Sequence, residues 1–399
     1  MMSDRRLYTA LALVALLSTA GLFALGENRD DSTKSFVGVC VKAERSYSIL
    51  FNSTDTLLVP EQLEIGKLYT LRGELEKTRS GLRVSGKYFL RPSYSAIPQW
   101  LEETEGAYWI SRGRRHYLLT PDWVELGKPL DIQKGSLVRV LGVKYGSKFY
   151  PVKITHAGTP SRSIRDGMPA LIRGTVLGTF GNENRIVLWN GSEKLYIYLP
   201  HGQSLERGLK VEVLGRVRIT SRVNVYVDDI GDVRRLGYPP TVPIDKTSIG
   251  EIGGGECLVL RVMKSGLVLN CTSLRLRGFK ARPGDTIKVR ALNTGSTLVC
   301  LSCELALPRE RLPNGICNFR EGCFSKIAGR VEWVKRYGNG FGLANVTSGE
   351  CWVLLKLPKS LGIEVKEGTV ITAYGTFTDY RGKPALQVSS GDDVCSGNC

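Results

Sequence analysis

The chain has 399 residues, which excludes a single small β domain and leaves room for several modules. Charged residues make up 23% and hydrophobic ones 42%, an ordinary globular balance. Lys and Arg number 55 against 38 Asp and Glu, a formal net charge of +17 that favours polyanions (nucleic acid, acidic glycans, anionic lipid head groups) and says nothing about fold.

The first element is Leu7 to Gly26, an uncharged apolar run. As a helix it spans roughly 30 Å, the thickness of a bilayer core. Arg5 and Arg6 precede it, and Glu27, Asp30 and Asp31 follow. The positive-inside bias therefore predicts a transmembrane helix with its N-terminus in the cytoplasm and the body outside. The rival reading is a signal peptide cleaved near Ser18-Thr19-Ala20 or Ala24-Leu25-Gly26, giving a secreted body. Residues 1–34 thus read as anchor, with helix 7–26, and spacer.

The body repeats one pattern. A Gly opens a β-rich run, and seven residues later a second Gly, or once Ala, falls inside it. The pairs are Gly66/Gly73, Gly135/Gly142, Gly208/Gly215, Gly284/Ala291 and Gly368/Gly375. Upstream, an apolar strand ends in Pro at Val59-Pro60, Thr120-Pro121, Leu199-Pro200 and Leu357-Pro358, because proline lacks the N–H that a ladder needs. The inner Gly is expected to permit a bulge that bends its strand so that one strand serves both sides of a small barrel. The predicted units are 35–92, 104–157, 168–237, 254–307 and 324–391, with a Cys-containing tail at 392–399. Pro-, Gly- and Ser-rich stretches separate them, among them Tyr238-Pro-Pro-Thr-Val-Pro.

The best-patterned copies are Arg173-Gly-Thr-Val, Ile186-Val-Leu-Trp, Leu195-Tyr-Ile-Tyr-Leu-Pro and Gly208 to Gly215 in the third unit, and Ala328-Gly-Arg-Val, Trp352-Val-Leu-Leu-Lys-Leu-Pro and Gly368 to Gly375 in the fifth. On these residues the body resembles tandem OB-fold modules of the tRNA-anticodon-binding and replication-protein type. The fold class expected is all-β: about five small OB-type Greek-key barrels after one N-terminal transmembrane helix. The resemblance implies ligand binding across strands two and three, flanked by the loop between strands one and two and the loop between strands four and five.

Those loops are rich in cations beside rings. The first loops carry Arg45 and Tyr47, then Arg112, Arg114, Arg115 and His116, then Arg185, Lys264, and Lys335, Arg336, Tyr337 and Phe341. The second loops carry Lys77 and Arg79, then Lys144, Tyr145, Lys148 and Tyr150, then Arg218, Arg222 and Tyr226, and finally Tyr380, Arg381 and Lys383. Cations neutralise phosphates while rings stack on bases, so single-stranded DNA or RNA is the leading expected partner. The other expectation is a structural or assembly protein of the cell envelope that binds protein or glycan.

Nine of the ten cysteines lie between Cys257 and Cys399. In an exported body such thiols pair. The expected pairs are Cys257 with Cys271 across a hairpin, Cys317 with Cys323 around a short loop, and Cys395 with Cys399 in the tail. The alternative is a zinc site of Cys300, Cys303, Cys317 and Cys323. Three scattered histidines and the lack of GxSxG, HExxH or phosphate-loop motifs give no reason to expect an enzyme or a cofactor.

Overall fold

The computed structural model describes residues 33–93, 97–120 and 122–397. The Leu7–Gly26 segment lies outside these residues. Among those described there is no α-helix, and no helix long and apolar enough to cross a membrane. The strands group into five barrels, and the chain divides into two compact units, residues 1–170 and 171–399.

Barrel one comprises β1 (Thr33–Ala43), β2 (Ser48–Phe51), β3 (Thr56–Val59), β4 (Leu68–Thr78) and β5 (Gly81–Pro92). Barrel two comprises β6 (Glu102–Ile110), β7 (His116–Leu119), β8 (Trp123–Leu126), β9 (Ser136–Tyr145) and β10 (Lys148–Pro160). Barrel three is β11 (Pro169–Phe180), β12 (Asn182–Trp189), β13 (Lys194–Tyr198), β14 (Lys210–Ile219) and β15 (Val223–Tyr226), with β16 (Val233–Gly237) added beside β14. A short strand β17 (Thr241–Pro243) leads into barrel four: β18 (Ile252–Met263), β19 (Gly266–Leu269), β20 (Arg275–Arg277), β21 (Thr286–Asn293) and β22 (Thr297–Leu307). Barrel five is β23 (Phe324–Arg336), β24 (Gly342–Ser348), β25 (Cys351–Leu357), β26 (Val370–Asp379) and β27 (Pro384–Gln387), with β28 (Val394–Ser396) beside β26.

In every barrel the strand order is 1-2-3-5-4, and strand four returns to strand one. Strands three and five run parallel while the other pairings within each barrel are antiparallel. That order is the OB architecture, so the chain carries tandem OB-type modules.

The recurring glycines explain how the barrels close. The first Gly of each pair has φ between +74° and +91°, a left-handed conformation that only Gly adopts without cost. It is the third residue of a turn, as in Glu64-Ile65-Gly66-Lys67, where the Lys67 N–H donates to the Glu64 carbonyl. Its own N–H donates to a strand-one carbonyl: Gly66 to Cys40, Gly135 to Tyr108, Gly208 to Val176, Gly284 to Val259 and Gly368 to Val331, all at 2.7–2.8 Å. The turn therefore delivers strand four onto strand one at the same point in all five modules.

The expected irregularity at the inner position is present in barrels one, two and four, where the register between strands four and five shifts just after Gly73, opposite Gly142 at Pro151/Lys153, and between Arg290 and Ala291. In barrels three and five the ladder between strands four and five begins one residue beyond the inner Gly, at Arg216 and Thr376, and runs evenly from there. The position also requires close approach. A Cβ at Gly142 or Gly375 would lie 2.4 Å from the carbonyl oxygen of Tyr150 or Gln387 on strand five. A second bulge recurs in strand one, at Cys40/Lys42, Val176/Gly178, Val259/Arg261 and Val331/Trp333. It comes one residue after the carbonyl that the closing glycine binds. There strand one leaves strand four and bends onto strand two.

Proline placement also differs in barrel two. Thr120 follows that barrel's second strand, β7, rather than its third, β8, and Pro121 lies outside the described residues.

Each barrel has its own apolar core, for example Leu50, Leu57 and Leu71 in barrel one and Val346, Val353 and Leu355 in barrel five. Within the first unit, Val39, Val41 and Phe51 of barrel one pack against Val143, Tyr145 and Tyr150 of barrel two. Within the second, barrels three and four share Leu177, Ile252, Leu292 and Trp189. Barrels four and five are joined by polar groups. Arg309, after β22, forms an ion pair with Asp393 at 2.8 Å, with side chains 8% and 4% exposed. Its guanidinium lies 4.5 Å from the Tyr374 ring, and its backbone N–H donates to buried Asp285.

Candidate functional site

Barrel three assembles the fullest cluster of rings and cations. In β13 the alternation Leu195-Tyr196-Ile197-Tyr198 sends Leu195 and Ile197 into the core and both tyrosines outward. Register places Arg185 of β12 opposite Tyr198, and Tyr198 opposite Tyr226 of β15. Tyr198 and Tyr226 stack with centroids 4.8 Å apart and planes 14° from parallel. Phe180, the last residue of β11, stands edge-on to Tyr196 and Tyr198 at 5.1 and 5.6 Å. All four rings are half-buried.

Exposed guanidinium groups complete the face. Arg222, in the β14–β15 turn, lies 4.3 Å from the Tyr196 ring and 5.4 Å from Phe180. Arg185 lies 5.5 Å from Tyr198. Arg218 sits opposite Asn224 across the ladder, on the same outer face. Buried Asn224 fixes the turn: its amide nitrogen donates toward the Arg218 and Arg222 carbonyls and the Thr220 hydroxyl, and its oxygen accepts from the Tyr198 hydroxyl. Tyr198 is thereby tied to the turn that carries Arg222.

Barrel five repeats the scheme with different residues. Tyr337 and Phe341 close the β23–β24 loop, and Tyr380 begins the β26–β27 turn. The Phe341 ring lies 5.9 Å from Tyr337 and 6.3 Å from Tyr380, all resting on Leu343, Leu354 and Ala385. Lys335 approaches Tyr337 at 5.4 Å, while Lys356 and Arg381 approach Tyr380 at 5.6 Å. Arg336 is directed elsewhere, donating to the Ile363 carbonyl at 2.7 Å.

The remaining barrels are less complete. Arg112, Arg114 and Arg115 are exposed on the tight β6–β7 turn of barrel two, which holds no ring. Beside it, His116 Nδ1 is engaged by the Tyr108 hydroxyl at 2.6 Å, and burial pushes that hydroxyl's pKa up. The second-loop rings of barrel two are not available to a ligand: Tyr145 packs on Phe51 of barrel one at 5.0 Å and on Tyr150 at 6.4 Å. The same contact covers the outer face of β1 and β2. In barrel four the β21–β22 turn has neither ring nor cation.

Phe180, Tyr196, Tyr198 and Lys356 were not among the residues singled out from sequence. The signal for the tyrosines was present, since two tyrosines spaced by two in a strand share one face. Phe180 and Lys356 join only through tertiary register.

The cysteines correct two expectations. Cys257 is bonded to Cys271 and Cys300 to Cys303. Cys317 bonds to Cys351 rather than to Cys323, which is an exposed free thiol. The reason is packing: Ile316 inserts into the core of barrel five beside Cys351, which brings a distant strand closer than the near end of the loop. The alternative four-thiolate zinc set is therefore divided between two disulfides and a free thiol. Cys395 is disulfide-bonded, and Cys399 lies outside the described residues. Cys40 is a buried free thiol.

No family model and no curated protein matches this chain. Several solved structures overlap with it. A HINb domain, 10% identical, matches with a TM-score of 0.21, covering 34% of this chain and 93% of that one. A murine DNA-binding protein bound with double-stranded DNA is 8% identical, with a TM-score of 0.18 and coverage of 58% and 94%. A multidomain protein with nucleic acid binding domains from Streptococcus pneumoniae is 14% identical, with a TM-score of 0.13 and coverage of 55% and 73%.

Proposed function

We propose that this chain binds single-stranded nucleic acid through the outer faces of barrels three and five. The observation that carries the reading is the barrel-three cluster, in which Phe180, Tyr196, Tyr198 and Tyr226 lie between the guanidinium groups of Arg185 and Arg222. Half-buried rings on an open sheet offer π-faces to unpaired bases, and a duplex hides those faces. The adjacent cations meet phosphates, and the net charge of +17 adds long-range attraction. Two such faces on one chain give a strand two linked points of attachment.

The test is titration of the chain with labelled single strands at several salt concentrations, with duplex as competitor. Binding should weaken steeply with salt, and single strands should outcompete duplex of equal charge. Absence of binding at low salt ends the proposal.

The reading includes attachment to a membrane through Leu7 to Gly26 with the body outside the cytoplasm. The disulfides at Cys257–Cys271, Cys300–Cys303 and Cys317–Cys351 support an oxidising compartment. Protease added to intact cells should remove the body; full protection would refute this placement.

A further inference from the structure

Barrel four, which has no ring cluster, carries a different surface. From Cys257 to Gly284 the sequence holds Arg261, Lys264, Arg275, Arg277, Lys280 and Arg282 and no Asp or Glu. Arg282 pairs with Glu310 at 2.6 Å. Among the described residues none of the other five forms an ion pair.

The fold concentrates these charges around apolar side chains. Beyond its bulge, β18 runs through Val262 and Met263 to a turn at Lys264-Ser265, and β20 lies beside β19. Arg275 Nη1 donates to the Ser265 hydroxyl and Arg277 Nε to the Ser265 carbonyl at 3.1 Å, so both guanidinium groups are held at the turn. Between the turn and the chain after β20 lies a groove of about 880 Å³, lined by Val262–Leu267 and Arg277–Ala281. Val262 and Met263 remain 49% and 37% exposed at its rim, while Leu267 and Phe279 form its floor.

An aliphatic rim inside a ring of unpaired cations suits a ligand that is apolar along one part and anionic at one end. It does not suit a base, because among the described residues no second ring faces Phe279. We propose that this groove binds one anionic lipid molecule. Its hydrocarbon chain lies along Val262, Met263, Leu267 and Phe279, and its phosphate meets Lys264, Arg277 and Lys280. The proposal is independent of the nucleic-acid reading, which rests on other barrels.

The test is photo-crosslinking of the full chain in neutral detergent with dodecyl phosphate bearing a diazirine, followed by peptide mapping. Labels should concentrate on residues 262–267 and 277–281, and unlabelled dodecyl phosphate should suppress them. Joint Arg277→Gln and Lys280→Gln substitution should weaken the competition about thirty-fold, from roughly fivefold per removed charge. Joint Val262→Ser and Met263→Ser, which keeps every charge on an exposed rim, should also reduce labelling. The apolar segment Leu7 to Gly26 is common to all variants, so differences among them report the groove. Labels confined to that segment, or spread evenly over the body, would overturn the proposal. Equal competition by inorganic phosphate would leave only an anion site, and displacement by an oligonucleotide would assign the groove to nucleic acid. Anionic vesicles competing far better per lipid than dissolved dodecyl phosphate would replace the single molecule with a bilayer surface.

Discussion

Tyr196→Leu is the most direct perturbation of the barrel-three face. Leucine keeps an apolar side chain beside Phe180 but removes the ring that Arg222 approaches at 4.3 Å. Losing one base-stacking platform costs about 1–3 kcal/mol, so Kd for a single strand should rise roughly 5- to 150-fold. The cost to folding is smaller. One lost aromatic pair is worth about 0.5–1.5 kcal/mol, a shift of a few degrees in Tm. Arg222→Gln tests the other half of the site: removing one phosphate contact should lower the slope of log K against log salt by about 0.7. Fluorescence anisotropy at several salt concentrations measures both quantities. Lys288→Gln is the control, since it removes the same charge from an exposed pair with Glu304 on barrel four. If Tyr196→Leu binds as wild type does, or if Lys288→Gln loses as much as Arg222→Gln, the assignment of this face is wrong.

Three further outcomes are expected. Arg309→Met leaves Asp393 buried without its cation and should destabilise the second unit by about 3–5 kcal/mol, whereas Arg309→Met with Asp393→Leu should recover most of the loss in chemical denaturation. Gly208→Ala forces a side chain into φ +81° and should cost about 1–2 kcal/mol by the same assay. Burial pushes the Cys40 thiol up to about 11 from an ordinary 9.0, so folded protein treated with iodoacetamide at mildly alkaline pH should be modified at exposed Cys323 and spared at Cys40. Because that folded value is raised, its contribution is complete below about pH 9 and is lost as pH climbs toward 11. Cys40→Ala should flatten that alkaline decline in Tm.

The barrels were legible because their closure demands a backbone that only glycine provides cheaply, and that demand recurs at one spacing. The second member of each pair was visible too, but only part of its reason was. The expected irregularity is there in barrels one, two and four, while the close approach of strand five emerges only from the tertiary register. The bulge in strand one, after Cys40, Val176, Val259 and Val331, carries no common residue type and so left no mark. The cations of the sites were readable as loop composition. Their usefulness was not: Arg222 faces two rings while Arg336 is turned to a backbone carbonyl, and nothing in either local sequence separates these fates. The Cys317–Cys351 bond escaped for a related reason, since a loop of five residues looks nearer in sequence than a strand that packing makes nearer in space.

The closing glycine turn also shapes how the chain acquires its structure. In barrel one the ladder it completes joins Val39 to Leu68 and Thr33 to Glu74, partners that lie within a single module. Contact order therefore depends on the length of one barrel and not on the length of the chain, and each barrel's closing ladder can form once its own fourth strand is available. Such an array suits vectorial synthesis, in which early barrels close while later ones are still emerging. It also predicts that a failed closure in one barrel stays local, leaving the folding of distant barrels intact.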